Sequence, residues 1–241
     1  RKNEIIYACK KIYINEGYEG VNLKKISEMT SFTRPAIYSY YKTKEEIFLD
    51  ILKEEFSLWK KDLIYRYSEI SEHTREEFCI VLSDSLCDRT ILLELLAVHL
   101  NIIENNSRLE QLVEFKKTVY NFFDVLKETI ELFFPNINAN LKEEFFDVFL
   151  IYINGLYPHI FHSKIQQKAM ALAGEPAIQK DLEHINRTLL AEELTSDFSD
   201  LDLFFKSIRI RILYGYGNDY VRIKLRTLLK KYGYKRRSQL F

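Results

Sequence analysis

The chain has 241 residues, 47% of them hydrophobic and 14% aromatic, with only 7 glycines, 4 prolines and a formal net charge of zero. That is apolar material enough for a substantial core, with too few turn formers for a many-stranded β architecture. No stretch approaches the roughly 18 unbroken apolar residues of a membrane helix, and the N-terminus carries no leader pattern, so a cytoplasmic protein without a membrane partner is expected.

The zero balance conceals a basic head and tail around an acidic body. Residues 1–44 hold nine Lys/Arg against four acids, and residues 206–241 hold eleven against Asp219 alone, which leaves −15 for the middle. Contact with a polyanion is thereby confined to the ends. Cys9, Cys79 and Cys87 lack ligand partners at zinc spacing and read as reduced core residues, with no metal or cofactor implied.

In chain order, Ile5, Ala8, Cys9, Ile12 and Tyr13 recur at three and four and predict a helix over 2–16. Gly17 stops it and Gly20 reinforces the turn. Asn22 is a suitable cap for a second, short helix that faces Leu23 and Ile26 inward. Thr33 then caps a third short helix over about 34–41, with Pro35 in its first turn. Thr43 and Glu46 have the spacing of a capping box, opening a fourth helix rich in Ile47, Leu49, Ile51, Leu52, Phe56 and Trp59. The second and third helices, joined by a tight turn at Ser31-Phe32, read as a helix-turn-helix packed on the first and fourth.

A helix that enters a DNA major groove must be short and carry side chains for bases and flanking phosphates. Thr33 places a hydroxyl and backbone amides at a helix start, where phosphate is favoured. Arg34 offers a long cation, Pro35 sets the first turn, and Ala36 permits close approach. Tyr38, Tyr40 and Tyr41 span one turn, so they cannot all face the core. Tyr41, four residues after Ile37, is the one expected inside; an outward phenol at Tyr38 or Tyr40 can donate to phosphate. Asn22, Lys24, Ser39, Lys42 and Lys44 complete the candidate DNA-facing set.

The segment GYEGVNLKKISEMTSFTRPAIYSYYKTKEEIF resembles the DNA-binding region of the TetR family of bacterial transcriptional regulators. Gly17-Tyr18, Ile26, Thr33, Ile37, Tyr38, Tyr40, Thr43, Lys44, Glu45 and Ile47 carry the match. The resemblance implies a recognition helix over Thr33–Tyr40, with Tyr38, Tyr40 and Lys44 on the phosphate backbone. It further implies a homodimeric repressor of double-stranded DNA, not an enzyme, released by a small-molecule effector. Ser31 stands where the family has a turn glycine, and strains the turn if that position needs positive φ.

Beyond residue 70 apolar stripes at three and four predict helices over 76–86, 91–103, 109–134, 141–161, 165–173 and 178–194, with a break at Tyr157-Pro158. The expected fold is therefore mainly α and TetR-like: a helix-turn-helix domain at 1–46, a helical dimerisation and ligand domain at 47–194, and a basic module at 195–241. The wide stripe Phe145, Phe149, Tyr152, Leu156 suits a seam with a second copy. Trp59, His99, Tyr120, Phe123 and Asn154 are the pocket candidates, and an acidic body favours an apolar, aromatic or cationic ligand. His159 and His162 have the spacing of helical metal ligands, but Pro158 interrupts them and no hydrolase or nucleotide motif accompanies them. In the tail, SIRIRILY and DYVRIKLR alternate apolar and basic residues around GYGN, a hairpin with one basic face, with helix as the alternative. That face suits nucleic acid, docking on the acidic body, or the start of a further module. The competing reading of the whole chain is a helical interaction scaffold without specific DNA binding.

Overall fold

A computed structural model describes residues 1–174, without the side chains of residues 76, 141 and 144. The expected helix at 178–194 and the basic module at 195–241 lie outside the described residues. The described part is helical throughout: α1 Lys2–Gly20, α2 Leu23–Glu28, α3 Arg34–Tyr40, α4 Lys44–Ser68, α5 Arg75–Cys87, α6 Thr90–Glu94, α7 Leu100–Asn105, α8 Leu109–Phe133, α9 Ala139–Ile160 and α10 Lys164–Leu172. A π-helical turn, Leu95–His99, joins α6 to α7.

The boundaries follow local chemistry. α1 is interrupted at Gly17, where φ 71° and ψ −177° is a conformation reserved for glycine. At Gly20 a Cβ would stand 2.4 Å from Glu16 Cβ, so the chain closes there only without a side chain. Asn22 Oδ1 accepts the Lys25 amide (3.0 Å) and starts α2. Thr33 Oγ1 accepts the Ala36 amide (3.4 Å) and starts α3. Thr74 and Glu77, and Ser163 and Gln166, close reciprocal capping boxes on α5 and α10.

α4 is the spine. It packs against α1 on one side of the molecule and against α5, α6, α7 and α8 elsewhere. Ile47, Leu49, Ile51 and Leu52 are wholly buried, and one continuous apolar cluster runs from Ile5 through Trp59 to Leu156. Head and body therefore share a core. Its centre is aromatic: Trp59 stacks on Phe122 at 4.3 Å, Phe56 meets Phe115 and Phe122, and Phe149 lies 6.1 Å from Trp59. Trp59 Nε1–H donates to Ser85 Oγ (2.8 Å), so the buried indole has its polar atom satisfied.

Four expectations need correction. Residues 91–103 are not one regular helix, because the π turn inserts a residue into the ladder before His99. Pro158 does not break α9; it lies in the last turn, where one ladder bond is lost and the helix ends two residues later. The Thr43–Glu46 box is only half formed: Thr43 Oγ1 accepts the Glu46 amide (3.3 Å), while the Glu46 carboxylate turns to the Lys42 amide (2.7 Å). Finally, Phe145, Phe149, Tyr152 and Leu156 are buried in the chain's own core, Phe145 stacking on Phe149 at 5.6 Å. Packed inside, they have no surface to offer a second copy. Among the described side chains of α9, the large apolar residues exposed are Leu150 and Ile151, with Phe161 just beyond its end.

Candidate nucleic-acid interface

α3 has seven residues, and its rows sort by helical spacing. Ile37 and Tyr41, four apart, point inward and are fully buried. Arg34 with Tyr38, and Pro35 with Ser39, form the opposite rows and are exposed; Tyr38 keeps 41% of its surface in solvent. Ala36 and Tyr40 lie between, half-buried, with the Tyr40 ring edge-on to Phe32 at 6.5 Å. Of the clustered tyrosines, then, one is core, one flanking and one free at the surface. Tyr41 OH donates to buried Asp50 (2.6 Å), and burial first, then this carboxylate, push its pKa far above the ordinary phenol value.

Asn22, Lys24 and Thr33 are exposed at the starts of α2 and α3. Lys42 is exposed too, its Nζ donating to the Tyr38 carbonyl (2.9 Å) at the end of α3. Lys44 differs from the other candidates. Its Nζ donates to the Tyr18 carbonyl (3.0 Å) and sits 4.1 Å from the Tyr18 ring centroid, which ties it to the end of α1.

The turn between α2 and α3 is held from outside. The Ser31 amide and hydroxyl donate to the two Glu4 oxygens (2.6 and 3.2 Å), and the backbone bond leads in lowering the Glu4 pKa. No non-glycine residue among those described has positive φ, so serine at this position carries no strain. Nothing local in the sequence could reveal Glu4, 27 residues away, as the clamp. Glu46 likewise has a partner that local spacing does not reveal. Its buried carboxylate accepts Arg108 Nε (2.5 Å), Nη2 (2.9 Å) and amide (3.3 Å), besides the Lys42 amide.

The five pocket candidates do not converge. Trp59 and Phe123 are buried and linked through Phe122, which lies 5.3 Å from Phe123. Tyr120 faces solvent, and the Asn154 amide donates to Leu150 of its own helix (2.7 Å). His99 stacks on Tyr18 at 4.2 Å, joining the π turn to the head. Burial holds the His99 imidazole below its ordinary pKa, with Glu94 and Glu19 opposing. His159 is exposed in the last turn of α9 and His162 lies beyond its end. Among the described residues no three His, Cys, Asp or Glu side chains gather as a metal site, and no helix is long and apolar enough to cross a membrane.

Comparison with known proteins agrees with this architecture. Residues 5–51 match the family described as "Bacterial regulatory proteins, tetR family", and residues 53–195 match "Tetracyclin repressor-like, C-terminal domain". The HTH-type transcriptional regulator QacR of Staphylococcus aureus is 31% identical over 83 residues, 29% of this chain and 44% of that protein. The HTH-type transcriptional repressor AcnR of Corynebacterium diphtheriae is 29% identical over 55 residues, 23% of this chain and 29% of that protein. The chain thus spans less than half the length of these curated relatives. With one family description covering more than half of its residues, and the other the helix-turn-helix, the chain belongs to the TetR family of bacterial regulatory proteins.

Proposed function

We propose that the chain is a DNA-binding transcriptional repressor that works as a homodimer and leaves its operator when the body takes up a small apolar, aromatic or cationic ligand. One observation carries the DNA reading: α3 turns Arg34, Pro35, Tyr38 and Ser39 to solvent in adjacent rows while Ile37 and Tyr41 anchor it. A short helix fixed on one side and free on the other is what groove entry requires. Asn22, Lys24, Thr33 and Lys42 are exposed at the helix ends, and in this reading they hold phosphates on either side.

In this reading residues 1–46 form the DNA-binding domain, residues 47–194 the dimerisation and ligand domain, and residues 195–241 an additional basic module. A two-fold dimer presents two such helices at half-sites about 34 Å apart. With the inner row of α9 occupied by the protomer's core, the exposed Leu150 and Ile151 are, among the described side chains, the large apolar residues of that helix that offer a dimer contact. A ligand acts by favouring a dimer whose recognition helices are wrongly spaced.

The test is a mobility shift with duplex DNA from the region upstream of the chain's own gene, in excess random duplex, alongside sedimentation. A retained shift at the mass of two chains is expected. Equal displacement by random and upstream duplex would refute operator reading and leave the interaction scaffold.

A further inference from the structure

A seven-residue helix has little stability of its own, so its direction is set by whatever holds its ends. The entry to α3 is held by the head itself, through Glu4 and Ser31. Its exit is held from the body. Arg108 lies in the turn between α7 and α8, 62 residues from Glu46. Its Nε and Nη2 engage the two oxygens of the wholly buried Glu46 carboxylate at 2.5 and 2.9 Å. The same Nη2 reaches the carbonyl of Tyr40, the last residue of α3, at 3.4 Å. A second link runs beside it, Thr43 Oγ1 donating to the Asn106 carbonyl (3.0 Å) in the same turn.

We infer that Arg108 is a positioning residue for DNA recognition: by joining the Glu46 carboxylate and the Tyr40 carbonyl, it fixes how α3 is presented relative to the body. This rests on the DNA-binding reading. It adds that a displacement of the α7–α8 turn is felt directly at the end of the recognition helix. The competing role for an exposed arginine in this region is a plain phosphate contact. Lysine separates the two, because it keeps the charge and loses the planar fork that reaches two carboxylate oxygens and a carbonyl at once.

The experiment compares the full chain with R108K, R108A and E46Q. The probes are the duplex that the unsubstituted chain selects from a random pool and a scrambled duplex of equal length. Amide hydrogen exchange over residues 36–42 is followed without DNA. R108K and R108A are both expected to bind the selected duplex about ten- to a hundredfold more weakly. Affinity for the scrambled duplex is unchanged in R108K, and exchange over 36–42 quickens in all three variants while α1 and α8 keep theirs. R108K binding the selected duplex like the unsubstituted chain would overturn the inference and make Arg108 a phosphate contact. Unchanged exchange in R108A would overturn it as well. If the unsubstituted chain selects no duplex, the DNA reading itself falls, and the role of Arg108 with it.

Discussion

Tyr38 and Tyr41 stand three residues apart, and removing the same hydroxyl from each should have opposite consequences. Tyr41 is completely buried and donates to Asp50 at 2.6 Å, so Tyr41→Phe leaves a buried carboxylate short of a donor. A hydrogen bond to a charged group contributes about 1.5–3 kcal/mol, which at 2–4 °C per kcal/mol for a chain of this size lowers Tm by roughly 3–12 °C. Lys53 also pairs with Asp50, which favours the lower half of that range. Tyr38 keeps 41% of its surface exposed, so Tyr38→Phe changes stability by no more than about 0.5 kcal/mol. Its cost falls on binding: a phosphate loses a donor, about 1.5–3 kcal/mol or ten- to a hundredfold in Kd per half-site. Differential scanning calorimetry and fluorescence anisotropy on a selected duplex, well below Tm, read the two effects separately. A Tyr38→Phe variant with native affinity and a lowered Tm would refute the assignment of the outward row to DNA.

Other outcomes follow from single features. Gly17→Ala meets no atom within 4 Å of the new Cβ, yet should cost about 1–3 kcal/mol in urea unfolding, because alanine must adopt φ 71°. Trp59, the sole tryptophan and fully buried, should emit in the blue, resist iodide quenching, and shift to the red on unfolding. Its replacement by alanine should cost about 3–5 kcal/mol. Acid should act in two stages. His99 is held below its ordinary 6.5 by burial, so the unfolded chain takes up the proton first and stability falls as pH drops below about 6.5. For Glu46, burial raises the pKa but the Arg108 and Lys42 donors outweigh it and bring it below the ordinary 4.5. Its contribution is therefore present above 4.5 and lost as pH falls further. Unfolding curves at pH 7.5, 5.5 and 4 on the chain and on H99F and E46Q check both stages, each variant flattening its own stage.

The helices were legible because their caps and periods are local. Asn22 and Thr33 each sit three residues before the amide they bind, and the Ile37–Tyr41 spacing points Tyr41 to the core, where it lies. What sequence could not supply lies in contacts between distant residues. Glu46 has the right offset for a local capping box, and that pattern obscured its partner 62 residues on. The π turn leaves the apolar spacing of 91–103 almost intact, so periodicity reads through it. The stripe on α9 was correctly apolar but its destination was not readable. A wide stripe says that much surface must be covered, and only the position of Trp59 and Phe78 shows that the protomer covers it.

Lys44 shows the same limit in a residue that the family pattern favours for phosphate. Its ammonium is bonded to the Tyr18 carbonyl and lies over the Tyr18 ring, within reach of Glu19 at 3.9 Å. Tyr18 in turn donates to Glu45 (3.0 Å) and carries His99 stacked on its ring. One tyrosine thus gathers the end of α1, the start of α4 and the π turn of the body. Removing the ammonium by Lys44→Met, which keeps the stem, forfeits a carbonyl bond and a cation–π contact, together about 1–3 kcal/mol. Because that cost falls on the free protein, Tm should drop while the slope of log Kd against log salt is unchanged from that of the unsubstituted chain. A slope reduced by about one, with Tm preserved, would instead mean that Lys44 leaves Tyr18 for a phosphate when DNA binds.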